Sequence, residues 1–139
     1  MKKIILLLLV TLSLTSFTSL EDTQFNIVGR WKGVEKKSVG YLIFQEDGYA
    51  FLEENGKKIG GKNFVENGKK ATMTYKFQDM GKLMHIDIVV TIVGEKQTKS
   101  LLGIAQKINN DSFKLQFGFD NVRPKVFNNN ETVVFTRVK

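Results

Sequence analysis

Residues 82–93 read Lys82-Leu83-Met84-His85-Ile86-Asp87-Ile88-Val89-Val90-Thr91-Ile92-Val93. Met84, Ile86, Ile88, Val90 and Ile92 fall on every second position, and His85, Asp87 and Thr91 stand between them. A period of two is the mark of a strand with one face on a core and the other turned outward. Working outward, Met73, Tyr75 and Phe77 alternate with Thr72, Thr74 and Lys76, and Phe113, Leu115 and Phe117 alternate with Lys114 and Gln116.

Turn residues separate these runs. Asp47-Gly48, Asn55-Gly56 and Asn67-Gly68 lie between apolar alternating segments. Such dipeptides accept the positive φ angles of tight hairpins. Asp79-Met80-Gly81, Gly94-Glu95-Lys96 and Asn109-Asn110-Asp111 supply further turns. The pattern predicts nine strands, at 28–36, 40–46, 49–54, 57–66, 70–77, 82–93, 98–108, 112–118 and 132–138. Gly60-Gly61 inside the fourth marks a bulge or sharp bend. No segment shows a helical period with caps; at most a short helix fits 18–26 or 121–130. The expectation is an all-β chain: a single antiparallel up-and-down barrel of eight to nine strands with little or no helix.

The start of the chain belongs to a different physics. Met1-Lys2-Lys3 is a positive opening, Ile4 to Val10 is unbroken apolar sequence, and Ser16, Thr18 and Ser19 are small. This is the three-part layout of a secretory signal. The apolar run falls short of the roughly 18 residues a membrane span needs. Cleavage after Thr18 or Ser19 is expected, so residues 1–19 are read as a signal peptide and 20–139 as one domain. The protein is then exported, to the periplasm or the medium, with no stable membrane span after cleavage.

The chain is 42% apolar with eleven Phe and no Cys, so its stability is expected to come from core packing. The zero Cys count also removes thiol catalysis and zinc–thiolate sites. Formal net charge is +7, yet the bases are spread out: Lys36-Lys37, Lys57-Lys58 and Lys69-Lys70 are pairs at strand ends. Nucleic-acid binding needs a stripe or patch, so no nucleic-acid partner is expected. Lysine at turns and edges keeps sheets soluble.

Ile27-Val28-Gly29-Arg30-Trp31 near the start of the domain resembles the Gly-x-Trp element on the first strand of lipocalins and related calycin barrels. In that family the Trp closes one end of the barrel and a basic residue of the last strand packs over it. The last strand here, Thr132 to Val138, offers Arg137. Leu101-Leu102-Gly103-Ile104, Asn110 to Leu115 and the Arg123-Pro124 loop are similar to small secreted lipocalin-like domains of bacteria. Larger lipocalins add a helix after the barrel, and no such segment follows the last strand here. The resemblance implies Gly29, Trp31 and Arg137 as the closing set. It also implies a binding module for a small, mainly apolar ligand, without catalysis or cofactor.

Candidate chemistry is sparse. His85 and Asp87 share a strand face, but no nucleophile or third ligand accompanies them. Glu53 and Glu54 are adjacent and must point to opposite faces. Asn128-Asn129-Asn130 lacks the spaced carboxylates of a calcium loop. No catalytic or metal residues are assigned. The ligand-binding candidates are Tyr41, Phe44, Phe51, Met73, Tyr75 and Phe117, on strands expected to line the barrel. Alternation alone does not separate an inward pocket from a packed interior. A protein-interaction module, an inhibitor or envelope-associated partner acting through barrel loops around a filled core, stays open beside the ligand reading.

Overall fold

The computed structural model describes residues 24–139. The signal peptide expected at 1–19 lies outside them. Ten strands form one antiparallel sheet: β1 (Gly29–Glu35), β2 (Ser38–Phe44), β3 (Ala50–Glu54), β4 (Lys57–Gly60), β5 (Phe64–Glu66), β6 (Lys69–Asp79), β7 (Leu83–Ile92), β8 (Thr98–Asn109), β9 (Ser112–Gly118) and β10 (Val133–Arg137). Their order is β4-β3-β2-β1-β10-β9-β8-β7-β6-β5. The first strand pairs with the last, and the two sheet edges, β4 and β5, are consecutive in the chain. The sheet therefore curls into a nearly closed barrel. No helix occurs among the described residues, and 121–130 is irregular loop.

The count of ten rather than nine has one cause. The segment expected as a single strand over 57–66 breaks at Gly60-Gly61, where φ reaches +126° and +73°. At this corner Gly61 N donates to the Ala50 carbonyl (2.9 Å) and the Gly61 carbonyl accepts from Met73 N (2.9 Å). One residue thus stitches β3 to β6. Tyr75 N donating to Gly48 O (3.1 Å) extends the seam.

Asn55-Gly56 (φ 52° and 74°) and Asn67-Gly68 (φ 49° and 76°) form two-residue turns with both residues left-handed, which matches the twist of the strands they join. In a meander, alternate turns share an end. The β1–β2, β3–β4, β5–β6 and β7–β8 turns and the β9–β10 connection surround one end, here termed the mouth. The other end is the base.

The base is plugged. Residues 24–28 fold across it, burying Phe25 and Ile27. Trp31 is fully buried, stacked on Phe25 (5.7 Å between centroids) and edge-on to Phe113 (4.7 Å). Its indole N–H donates to the Ile27 carbonyl at 2.8 Å. Trp31 sits directly opposite Arg137 in the β1–β10 ladder, and the guanidinium lies 4.1 Å from the ring centroid. Arg137 also donates to the carbonyls of Val28 (2.8 Å), Asn26 (2.7 Å) and Asn110 (3.1 Å) and to Asp111 Oδ1 (3.0 Å). A Cβ at Gly29 would stand 2.9 Å from Arg137 Nη1, so the glycine leaves room for that guanidinium.

One loop straps the outside. Arg123 donates through Nη1 (2.6 Å) and Nη2 (2.8 Å) to the two oxygens of Asp87, and Nη1 also reaches the Gly103 carbonyl (2.8 Å). Gln116, on the outer face yet only 5% exposed, accepts from Asn128 N (2.6 Å) and Thr132 Oγ1 (3.1 Å). Residues 119–132 therefore lie over part of the outer wall of β7–β9, around Asp87, Gly103 and Gln116. Arg123→Ala strands the Asp87 carboxylate and is expected to cost about 1–3 kcal/mol, the range for removing one partner of a shielded charged hydrogen bond. Thermal melts and limited proteolysis check this: the variant should melt lower and be cut within 119–132. Arg123→Lys should recover only part, since an ammonium cannot form the fork.

Candidate functional site

The mouth end is hollow beside β1 to β4 and β10, and a second hollow of about 680 Å³ lies at the base, bordered by Phe25, Asp79, Lys82 and Lys107. Two inward rows of side chains explain the first. Register pairs Trp31 with Leu42, Leu42 with Leu52 and Leu52 with Ile59, giving an apolar row around β1 to β4. One step nearer the mouth, Gly33 pairs with Gly40, Gly40 with Glu54 and Glu54 with Lys57. Two glycines thus stand side by side on the inner face. Phe135, opposite Gly33, lays its ring over that glycine, where a Cβ would come within 2.5 Å of the ring. A Cβ at Gly40 would meet nothing nearer than the Glu53 carbonyl oxygen at 3.7 Å. No side chain fills the space before Gly40.

The result is an open chamber of about 730 Å³, with Leu42, Leu52, Ile59 and Phe135 as its apolar lining and Glu35, Glu54 and Lys57 at its rim. Smaller hollows of about 140 and 300 Å³ border on the same Glu35 and Phe135, the second also on Leu115, Phe117 and Phe119. The volume suits a single small ligand.

The six aromatic and Met candidates do not form one site. Phe44 and Met73 are buried in the hydrophobic core. Tyr75 faces inward, edge-on to Phe44 (4.8 Å), and its hydroxyl donates to the Gln45 carbonyl at 2.8 Å. Burial, then the carboxylates of Asp47 and Glu46, hold that hydroxyl above its ordinary pKa. It pins the seam and is not free to orient a ligand. Phe117 borders the 300 Å³ hollow.

Tyr41 and Phe51 stand at strand positions that alternate with the inward Leu42, Phe44 and Leu52. Tyr41 touches the chamber's border, but its ring lies under the Arg30 guanidinium, 3.6 Å from its centroid, with Arg30 bridged to Glu53 (3.3 Å). Phe51 lies under Lys58 Nζ at 4.4 Å. Strand β2 is apolar on both faces, with Tyr41 and Ile43 on one and Leu42 and Phe44 on the other, so period two could not say which face was inside. The lining residues Leu42, Leu52, Ile59 and Phe135 come together only through the pairing register of β1 to β4 and β10. The signal that could have found them is the Gly33–Gly40 pair, which needs the register to be recognised.

His85 lies on the outer wall. Burial and the nearby Arg123 lower its pKa, and Asp87 opposes this. Asp87 is engaged by Arg123, so it does not orient the imidazole. Among the described residues no three His, Asp or Glu side chains gather as metal ligands, and no helix is long and apolar enough to cross a membrane.

Comparisons with protein-family models, with curated proteins and with solved structures returned no match.

Proposed function

We propose that this chain is an exported, lipocalin-like binding module that takes one small, mainly apolar ligand into the mouth chamber and performs no catalysis on it. The supporting observation is the unfilled space before Gly40, roofed by Leu42, Leu52, Ile59 and Phe135. Burying roughly 300 Å² of apolar ligand surface contributes about 7 kcal/mol at 25 cal/mol per Å², before ordering costs, which corresponds to micromolar or weaker binding. The lining contains no histidine, and its carboxylates sit at the rim rather than around a reacting centre. Export rests on the layout of residues 1–19.

Titration with the neutral dye N-phenyl-1-naphthylamine tests the reading. The protein should enhance its fluorescence and saturate at one equivalent. Gly40→Phe should abolish the enhancement without lowering the melt, since the new Cβ enters open space at an ordinary strand position. A dye signal equal in the variant, or absent in the wild type, rejects the chamber as a site.

One observation favours the second reading. Phe119, Val122 and Val126, in the strap, are 72%, 63% and 76% exposed. Exposed apolar groups gathered on one loop mark contact surfaces, and a protein partner would meet this loop beside the mouth. In that case Val126→Ser weakens the partner and leaves dye binding unchanged.

A further inference from the structure

We infer that the ligand carries a flat aromatic ring, and that Gly40 and Phe135 are the residues that select for it. This rests on the mouth chamber being the binding site. Phe135 borders the main chamber and both smaller hollows. Its ring stacks on Phe113, with 5.6 Å between centroids and 22° between planes, and extends over Gly33. The protein thus lays an aromatic ring of its own on one of two neighbouring inner glycines. Gly40, the ladder partner of Gly33, has no such cover. A hollow of about 140 Å³ lies before the two glycines, with Phe135, Ser38 and Glu54 on its borders. A cavity of about 150 Å³ is enough to admit one benzene ring.

A strand glycine leaves backbone that no side chain shields, and an aromatic ring laid across it supplies the missing cover. Phe135 does this for Gly33, and a ligand ring would do it for Gly40. Adjacent strands lie about 4.8 Å apart. A ring over Gly40 therefore meets the free edge of Phe135 within the roughly 4.5–7 Å at which aromatic pairs attract. The rest of the ligand lies against Leu42, Leu52 and Ile59 in the main chamber. A saturated ring of the same carbon count is thicker and offers Phe135 no π face, so it stays among those aliphatic groups. The advantage of the flat ring is that of one aromatic pair, about two- to ten-fold in affinity. It opposes simple hydrophobicity, because the saturated ring is the more apolar of the two.

Competition against the naphthylamine dye tests this, with the dye's own affinity measured in each variant. Phenylhexanol and cyclohexylhexanol share one chain and one hydroxyl and differ only in the ring. In the wild type the phenyl compound should bind more tightly, by the margin given above. Gly40→Ala sets a methyl group on the floor of the hollow at a position where its Cβ meets nothing nearer than 3.7 Å, so the fold is kept. It should erase the phenyl advantage and leave the cyclohexyl compound unchanged. Phe135→Leu keeps apolar bulk, removes the aromatic partner, and should erase the same advantage. Equal affinities in the wild type, or an advantage that survives either variant, overturns the aromatic-ring inference while the chamber stands. Failure of the dye to bind, or equal dye binding by Gly40→Phe, overturns the chamber and the inference together.

Discussion

Trp31→Ala is expected to lower the stability of the fold by about 3–5 kcal/mol, the cost of removing a large aromatic side chain from a packed core. Domains of this size are stable by only about 5–15 kcal/mol in total, so the melting temperature should fall by roughly 10–20 °C. The size of the effect follows from what the indole joins. It is fully buried, contacts Phe25 and Phe113, holds the Ile27 carbonyl through its N–H, and carries Arg137 on its face. The cavity would open at the junction of the first strand, the last strand and the segment plugging the base. Circular dichroism is the proper readout, because the chain has one Trp and the variant loses it. Trp31→Phe should recover part of the loss by refilling the space while leaving the Ile27 carbonyl without its donor. A melt unchanged in Trp31→Ala would mean that the base does not hold the barrel together.

Gly60→Ala is expected to be strongly damaging. The backbone there has φ +126°, which costs a residue with a side chain about 1–3 kcal/mol. The new Cβ would also overlap the Ala50 carbonyl oxygen and stand 2.8 Å from the Phe51 Cα. Both are backbone atoms of the neighbouring strand and cannot swing aside. Relief requires β4 to peel from β3, and with it the Gly61 bonds to Ala50 and Met73. The amides of Gly61 and Met73 should then exchange with solvent far faster, read by hydrogen–deuterium exchange. Gly56→Ala separates this effect from conformational preference alone. Gly56 has φ +74° with nothing within 4 Å of its Cβ position, so its cost should stay near 1–2 kcal/mol. Equal losses in the two variants would show that the corner is only another turn.

The strand alternation of 82–93 carried over directly: Met84, Ile86, Ile88 and Ile92 are buried on one face. So did the placement of Asn55-Gly56 and Asn67-Gly68 at tight turns. Glu53 and Glu54, expected on opposite faces, do alternate along β3: Glu53 is bridged to Arg30 and Glu54 stands between Gly40 and Lys57 in the ladder. The ligand-site candidates fared differently. Aromatic identity pointed to Tyr41 and Phe51, whose rings lie under cations; Tyr41 borders the chamber and Phe51 does not, and Leu42, Leu52, Ile59 and Phe135 line it beside Tyr41.

The amino-acid sequence by itself determined that the chain is all-β, where its turns fall, and that Gly60-Gly61 must bend. These are local properties, set by side-chain period and by backbone angles that few residues tolerate. Only the tertiary structure decided which face of β2 turns inward, that Gly33 and Gly40 stand side by side before an unfilled chamber, and that Arg123 reaches back to Asp87 to strap the outer wall. Each of these depends on pairing register between segments, and a slip of one residue exchanges the two faces of a strand. Where both faces are apolar, the local pattern carries no information about that choice.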